Sequence, residues 1–157
     1  TVYKTGFKTN KFDMAIQNGV YHHLSNEPKA IKEISRILKS GGKLWYYTAG
    51  SGDLANDLHD LAQQSTKNIP YNFKEYVFKS MGMSTNKLVY LMDGFTAIYR
   101  RTTFKKLSKL LSRYGFYNFK ILKGGFKTDK DPLMIKNFDY GKERYGEGDL
   151  RLFCSLK

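Results

Sequence analysis

The chain is poor in cysteine, histidine, proline and acid, and each shortage narrows what it can be. One cysteine, Cys154, leaves no internal disulfide framework. Three histidines, at 22, 23 and 59, are few for a metal site. Adjacent side chains on an extended segment point apart, and zinc needs three or four convergent ligands. No stretch approaches the roughly 18 apolar residues of a membrane span. The opening residues, TVYKTGFKTNKFD, lack the apolar core of a signal peptide. The expectation is a cytoplasmic protein without a membrane partner. No G-x-S-x-G elbow is present, so a serine hydrolase of that type is not indicated. With only three prolines there is no clear linker, no repeat and no low-complexity segment.

Acid is scarce against base. Fourteen Asp and Glu face 27 Lys and Arg, a net charge of +13. Such an excess can mark attraction to nucleic acid, which would weaken steeply with salt. The base, however, is 21 Lys to 6 Arg, beside 12 Tyr and 9 Asn. Those three residue types share A/T-rich codons, and the lysines form no block of like charge. A biased genome gives the same profile, so nucleic acid stays the less favoured partner.

What is present is one domain's worth of chain, 157 residues, 41% apolar and 15% aromatic. Residues 12–17 read as a continuous buried strand. Asn26 or Glu27 can cap the helix that follows, with Pro28 in its first turn. Ala30, Ile31, Ile34, Ile37 and Leu38 share one face. Lys29, Lys32, Glu33, Arg36 and Lys39 fall mostly on the other. Gly41-Gly42 is expected to close that helix, and 44–49 (LWYYTA) to form the next strand. Strand, helix and strand make a βαβ unit with a parallel pair.

Beyond it, a helical segment is expected over 50–102. One amphipathic helix carries Leu54, Leu58, Leu61 and Ala62. A break falls at Pro70, a short helix covers 73–81, and 86–92 leans to helix. The aromatics and methionines of 71–99 read first as core, or as an adaptable lid beside a crevice. Thr103 can cap a helix bearing Leu107, Leu110, Leu111 and Tyr114, with Gly115 as its stop. Strands over 118–125 and 150–156 flank a polar loop.

The stretch FDMAIQNGVYHHL, 12–24, asks for explanation. A strand breaks at Gln17-Asn18-Gly19 and two histidines follow. A metal site, a catalytic base, a ligand shelf and a plain turn all compete. In open α/β sheets, ligands sit beyond the carboxyl ends of strands, and glycine there admits close approach.

These residues resemble a known family. Phe12-Asp13, Asn18-Gly19, His22-His23, Arg36-Ile37-Leu38-Lys39 and Gly41-Gly42 look like the middle of a class I S-adenosylmethionine-dependent methyltransferase of the methyltransferase domain 11 type. Ser40 departs from the family's usual proline. Ser112-Arg113-Tyr114-Gly115-Phe116 and the strand after it resemble the late helix and sixth strand. The likeness is specific over 7–49 and 103–123.

The resemblance implies an α/β, Rossmann-like class I methyltransferase sheet, strands four to seven with flanking helices, and the N-terminal half absent. The family's glycine-rich cofactor loop and its ribose-holding acid precede strand four, and only eleven residues precede it here. Thr1 is not methionine, so a fragment or one partner of a split protein is expected, inactive alone. A missing N-terminal segment or a partner chain would supply strands one to three. The implied cofactor is S-adenosylmethionine. By resemblance, Asn18 and Gly19 lie under its methionine part, Val2 and Tyr3 near adenine, and His22 or His23 toward the methyl group or the acceptor. His23 is the candidate catalytic residue, expected to line the acceptor side, and a base is required only if the acceptor arrives protonated. The implied partner is a methyl acceptor, a small molecule, held by 53–101. The divisions expected are 1–49 (strand-helix-strand core), 50–102 (substrate-side insertion) and 103–157 (helix and strand pair). The rivals are a basic RNA-binding or RNA-modifying protein and a non-catalytic half-domain that completes a partner's sheet.

Overall fold

A computed structural model describes residues 1–123 and 146–157. Four strands form one sheet in the order β1-β2-β4-β3: β1 (Phe12–Asn18), β2 (Leu38–Ala49), β3 (Phe116–Ile121) and β4 (Asp149–Leu156). Among the described residues five α-helices accompany it: α1 (Glu27–Ile37), α2 (Leu54–Ser65), α3 (Tyr71–Ser80), α4 (Thr85–Thr96) and α5 (Phe104–Ser112). β1 and β2 run parallel through the crossover α1, as the sequence leads one to expect. β4 enters antiparallel between β2 and β3. The polar loop expected before β4 lies largely outside the described residues, as does Gly124-Gly125.

The caps work as the sequence suggests. The Asn26 side chain accepts from the Lys29 N–H at 3.0 Å, and the Thr103 hydroxyl accepts from the Lys106 N–H at 3.2 Å. Each satisfies one of the donors that a helix leaves open at its start. Gly115, at φ +89°, turns α5 into β3. That strand starts at Phe116, two residues before the expected 118.

Within the strand-helix-strand unit three expectations fail, each for a tertiary reason. Gly41-Gly42 does not close α1. The helix ends at Ile37, and Leu38 is already extended at ψ 143°. Residues 39–42 instead bulge out of β2, because Phe12 pairs with Leu38 while Met14 pairs with Lys43. Glu33 does not face water. It is 8% exposed and bound to Thr5 and Arg36. β1 is not buried throughout, since Met14 is 46% and Ile16 is 68% exposed. β1 is the edge of the sheet among the described residues.

The core lies on one face. Ala15 of β1, Leu44 and Tyr46 of β2, and Leu152, Cys154 and Leu156 of β4 pack with Ala30, Ile31 and Ile34 of α1 and Leu107 and Leu111 of α5. The opposite face carries Ile16, Trp45 and Phe153 side by side in register.

The helices α2 to α4 leave the sheet and return to it at one neck. Ser51 N–H donates to Thr102 O at 3.0 Å, and Thr102 N–H donates to Ala49 O at 3.2 Å. The apolar stripe of α2 is not core: Leu54, Leu58 and Leu61 are all exposed. Tyr71, Phe73, Tyr76 and Met81 are exposed too, against the reading of 71–99 as core, whereas Met92 is buried. Among the described residues no helix is long and apolar enough to cross a membrane.

Candidate active site at the ends of the parallel strands

β1 ends at Asn18, and Gly19 follows at φ +68°, a left-handed conformation that costs glycine little. The Gly19 N–H still donates to the Tyr47 carbonyl at 3.3 Å, so the break stays fastened to β2. A Cβ at Gly19 would stand 3.1 Å from the Tyr47 ring. Asn18 is exposed and lies opposite Tyr47 in the register.

Gln17 is buried just before it. Its side-chain oxygen accepts from the Tyr47 N–H at 3.2 Å, while its Nε2 meets no acceptor among the described residues. A buried amide donor without a partner is costly. It is the kind of group that a bound carboxylate or water would satisfy.

After Gly19 the chain makes a 3-10 turn, Tyr21–His23. It carries the histidine pair, whose rings stand 4.0 Å apart between centroids. The two differ in environment. His22 is buried, its Nδ1 lies 3.3 Å from the Thr48 hydroxyl, and burial first, then the neighbouring His23 and Arg101, pushes its pKa down to about 4. It is neutral at neutral pH and serves as a hydrogen-bonding wall. His23 is exposed, with Nδ1 2.8 Å from the Ile98 carbonyl.

Val2 and Tyr3 sit farther along the same end of the sheet. Both pack against the core cluster. The Tyr3 hydroxyl lies 3.0 Å from the Ser25 hydroxyl and accepts from the Asn26 N–H at 3.3 Å. Those bonds hold the Tyr3 pKa below its ordinary value. Tyr3 therefore lies beside the segment after the histidine turn, and its ring faces the Lys29 ammonium at 5.6 Å.

Several residues that sequence reasoning passed over complete the site. Tyr47 donates its hydroxyl to Asp149 at 2.9 Å, and burial, then that bond, pushes its pKa up to about 12. Tyr99 sets its ring 4.8 Å from His22 and 5.0 Å from His23. Arg101 lays its guanidinium 4.8 Å from the Tyr99 ring and pairs with Asp60. An aromatic facing the strand end on β2 was a readable signal for Tyr47. Nothing local marks Tyr99 or Arg101, which are nearly eighty residues from the histidines.

Among the described residues no cluster of three or more His, Cys, Asp or Glu side chains is placed to hold a metal ion. His59 lies apart, stacked on Phe95 at 5.7 Å. Cys154 is buried in the core, which pushes its thiol up to about 12. It is an inert core residue.

Residues 1–46 match the family model described as Methyltransferase domain. No curated protein matches the chain. Among solved structures the fold is similar to an S-adenosylmethionine-dependent methyltransferase of Thermotoga maritima, at 20% identity and TM-score 0.60, covering 100% of this chain and 62% of that one. It is similar also to the CurJ carbon methyltransferase, at 13% identity and TM-score 0.55, covering 99% and 33%. A third is the phosphoethanolamine N-methyltransferase 2 of Haemonchus contortus, solved with phosphomonomethylethanolamine and S-adenosylhomocysteine, at 15% identity and TM-score 0.50, covering 100% and 36%. The chain thus spans less than two thirds of the length of each. The sheet has the open α/β fold of Rossmann-like class I methyltransferase structures, and the resemblance seen in the sequence is met by the family match over residues 1–46 and, for the rest of the chain, by the fold alone.

Proposed function

We propose that this chain is the acceptor-side part of an S-adenosylmethionine-dependent methyltransferase. One observation carries the reading. The parallel strand β1 ends in an exposed Asn18, a left-handed Gly19 and a histidine turn, in a fold shared with such enzymes. The residues fit one end of the cofactor. Gly19 leaves room beside the Tyr47 ring that a Cβ would fill, and the Gln17 amide offers an unmet donor. S-adenosylmethionine, when bound, supplies an electrophilic methyl group on a sulfonium.

On this reading Asn18, Gly19 and Gln17 hold the methionine end, and Val2 and Tyr3 border the adenine. Tyr47 and Tyr99 keep water from the reacting face. His23 stands on the acceptor side. If the acceptor arrives protonated, its proton goes to His23. Orientation by the surrounding side chains supplies the rest. The acceptor is a small molecule, met by the insertion of α2 to α4. The matched enzymes include both N- and C-methyltransferases by name, so the fold does not select the atom.

Among the described residues no strand-to-helix turn carries a glycine-rich loop to hold adenosine. A further segment, upstream or from a partner chain, would add its strands to the open edge of β1. The 157-residue chain alone is expected to bind the cofactor weakly and to be inactive. The test is to titrate S-adenosylhomocysteine to millimolar concentration into the isotope-labelled chain. Resonance shifts confined to Val2, Tyr3, 17–19, Tyr47, Tyr99 and the histidine turn are expected. Shifts elsewhere, or none, would remove the reading.

A further inference from the structure

Residues 98–101, where the insertion rejoins the sheet, are fastened to the histidine turn at several points. The Ile98 carbonyl lies 2.8 Å from His23 Nδ1. The Arg100 N–H donates to the His22 carbonyl at 3.0 Å. The Arg100 guanidinium donates to the Leu24 carbonyl and, at 3.0 Å, to the Ser25 carbonyl. One planar fork thus bridges two successive carbonyls just after the turn, which a single ammonium could not reproduce. Tyr99 lies against both imidazoles, and Arg101 ties Tyr99 back to Asp60 of α2.

These contacts decide a proton's place. A carbonyl oxygen can only accept a hydrogen bond. His23 Nδ1 must therefore carry the hydrogen in its contact with Ile98. A neutral imidazole has one N–H, so Nε2 is left with its lone pair. The residue as a whole is exposed.

We propose that the 98–101 segment is a positioning strap for His23, in which the Ile98 carbonyl sets the Nδ1–H tautomer and Arg100 holds the turn that presents Nε2 as proton acceptor. Arg100 is a positioning residue, since it touches backbone carbonyls and not the reacting atoms. The strap also makes the insertion and the base one mechanical unit, through Asp60, Arg101 and Tyr99. The use of Nε2 in chemistry rests on the function proposed above. The tautomer does not, because it is a property of the resting protein.

Long-range proton–nitrogen spectra of the histidine-labelled chain at mildly alkaline pH read the tautomer directly. The expected result is a His23 with hydrogen on Nδ1 and none on Nε2. Arg100→Ala is expected to move His23 toward a mixture of tautomers in a protein that still melts cooperatively. If Arg100→Ala does not fold, Arg100→Met keeps the stem, drops the donors and faces the same criterion. A wild-type His23 with its hydrogen on Nε2 overturns the proposal. So does a folded Arg100 variant whose His23 spectrum is unchanged. Turnover of His23→Ala in the cofactor-competent enzyme is a separate readout. Full activity there would end the base role and leave the tautomer result standing.

Discussion

Glu33 carries more of the architecture than its place on a polar helix face suggests. Its carboxylate accepts from the Thr5 N–H at 2.8 Å, the Thr5 hydroxyl at 2.7 Å and the Arg36 guanidinium at 2.8 Å. Arg36 reaches on to the Phe7 carbonyl at 2.8 Å. The pair therefore pins Thr5 and Phe7 along α1. The Arg36 hydrogen bonds first, then those from Thr5, hold the Glu33 carboxyl well below the ordinary carboxylate range. A depressed folded-state pKa adds stability above the ordinary value of 4.5, and that part is lost as pH falls below it. Glu33→Gln is expected to lower stability at neutral pH and to flatten the acid limb below that value, as followed by urea melts at several pH values. An unchanged acid limb would show that other carboxylates govern it. The i to i+3 spacing of Glu33 and Arg36 was legible in the sequence. Its burial was not, because Thr5 and Phe7 approach from 28 and 29 residues away.

Helices α1 and α2 carry similar apolar spacings and meet opposite fates. Ile31 and Ile34 of α1 are buried against the sheet, while Leu54, Leu58 and Leu61 of α2 lie open. Ile31→Ala is expected to cost about 2–5 kcal/mol, since it empties a fully packed site. Each of Leu54→Gln, Leu58→Gln and Leu61→Gln is expected to cost less than about 0.5 kcal/mol, as surface changes do. Chemical denaturation of the four variants compares them, and a large loss at Leu58 would show that the stripe packs in solution. Helix positions and caps were readable because hydrogen bonds within four residues dictate them. Which stripe is core depends on what the sheet brings against it. The same distinction explains Gly41-Gly42. The pair reads as a helix stop, yet the chain needs its freedom in a bulge, with Gly41 at φ +76°.

At the scale of the molecule, the sheet is covered unequally. Helices α1 and α5 close one face, and the other presents Ile16 and Met14 beside Trp45 and Phe153, next to an edge strand. Exposed apolar edges of this kind associate. The chain alone is expected to elute as a concentration-dependent oligomer by light scattering, and Ile16→Lys to shift it to a monomer that still melts cooperatively, at a midpoint independent of concentration. A wild-type monomer at every concentration would argue against an adhesive edge.

The sequence by itself determined the βαβ unit, a helix cap at Asn26 or Glu27 and another at Thr103, the break at Gly19 and the resemblance that led to the fold. All are set by neighbours a few residues apart, or by a pattern of neighbours in order. Tertiary structure alone decided that His22 is buried and His23 exposed, that Tyr47 lines Gly19, and that Ile98 and Arg100 hold the histidine turn. His23 and Ile98 are 75 residues apart, and no local pattern encodes a contact at that separation. The folding of the insertion back to its neck brings them together.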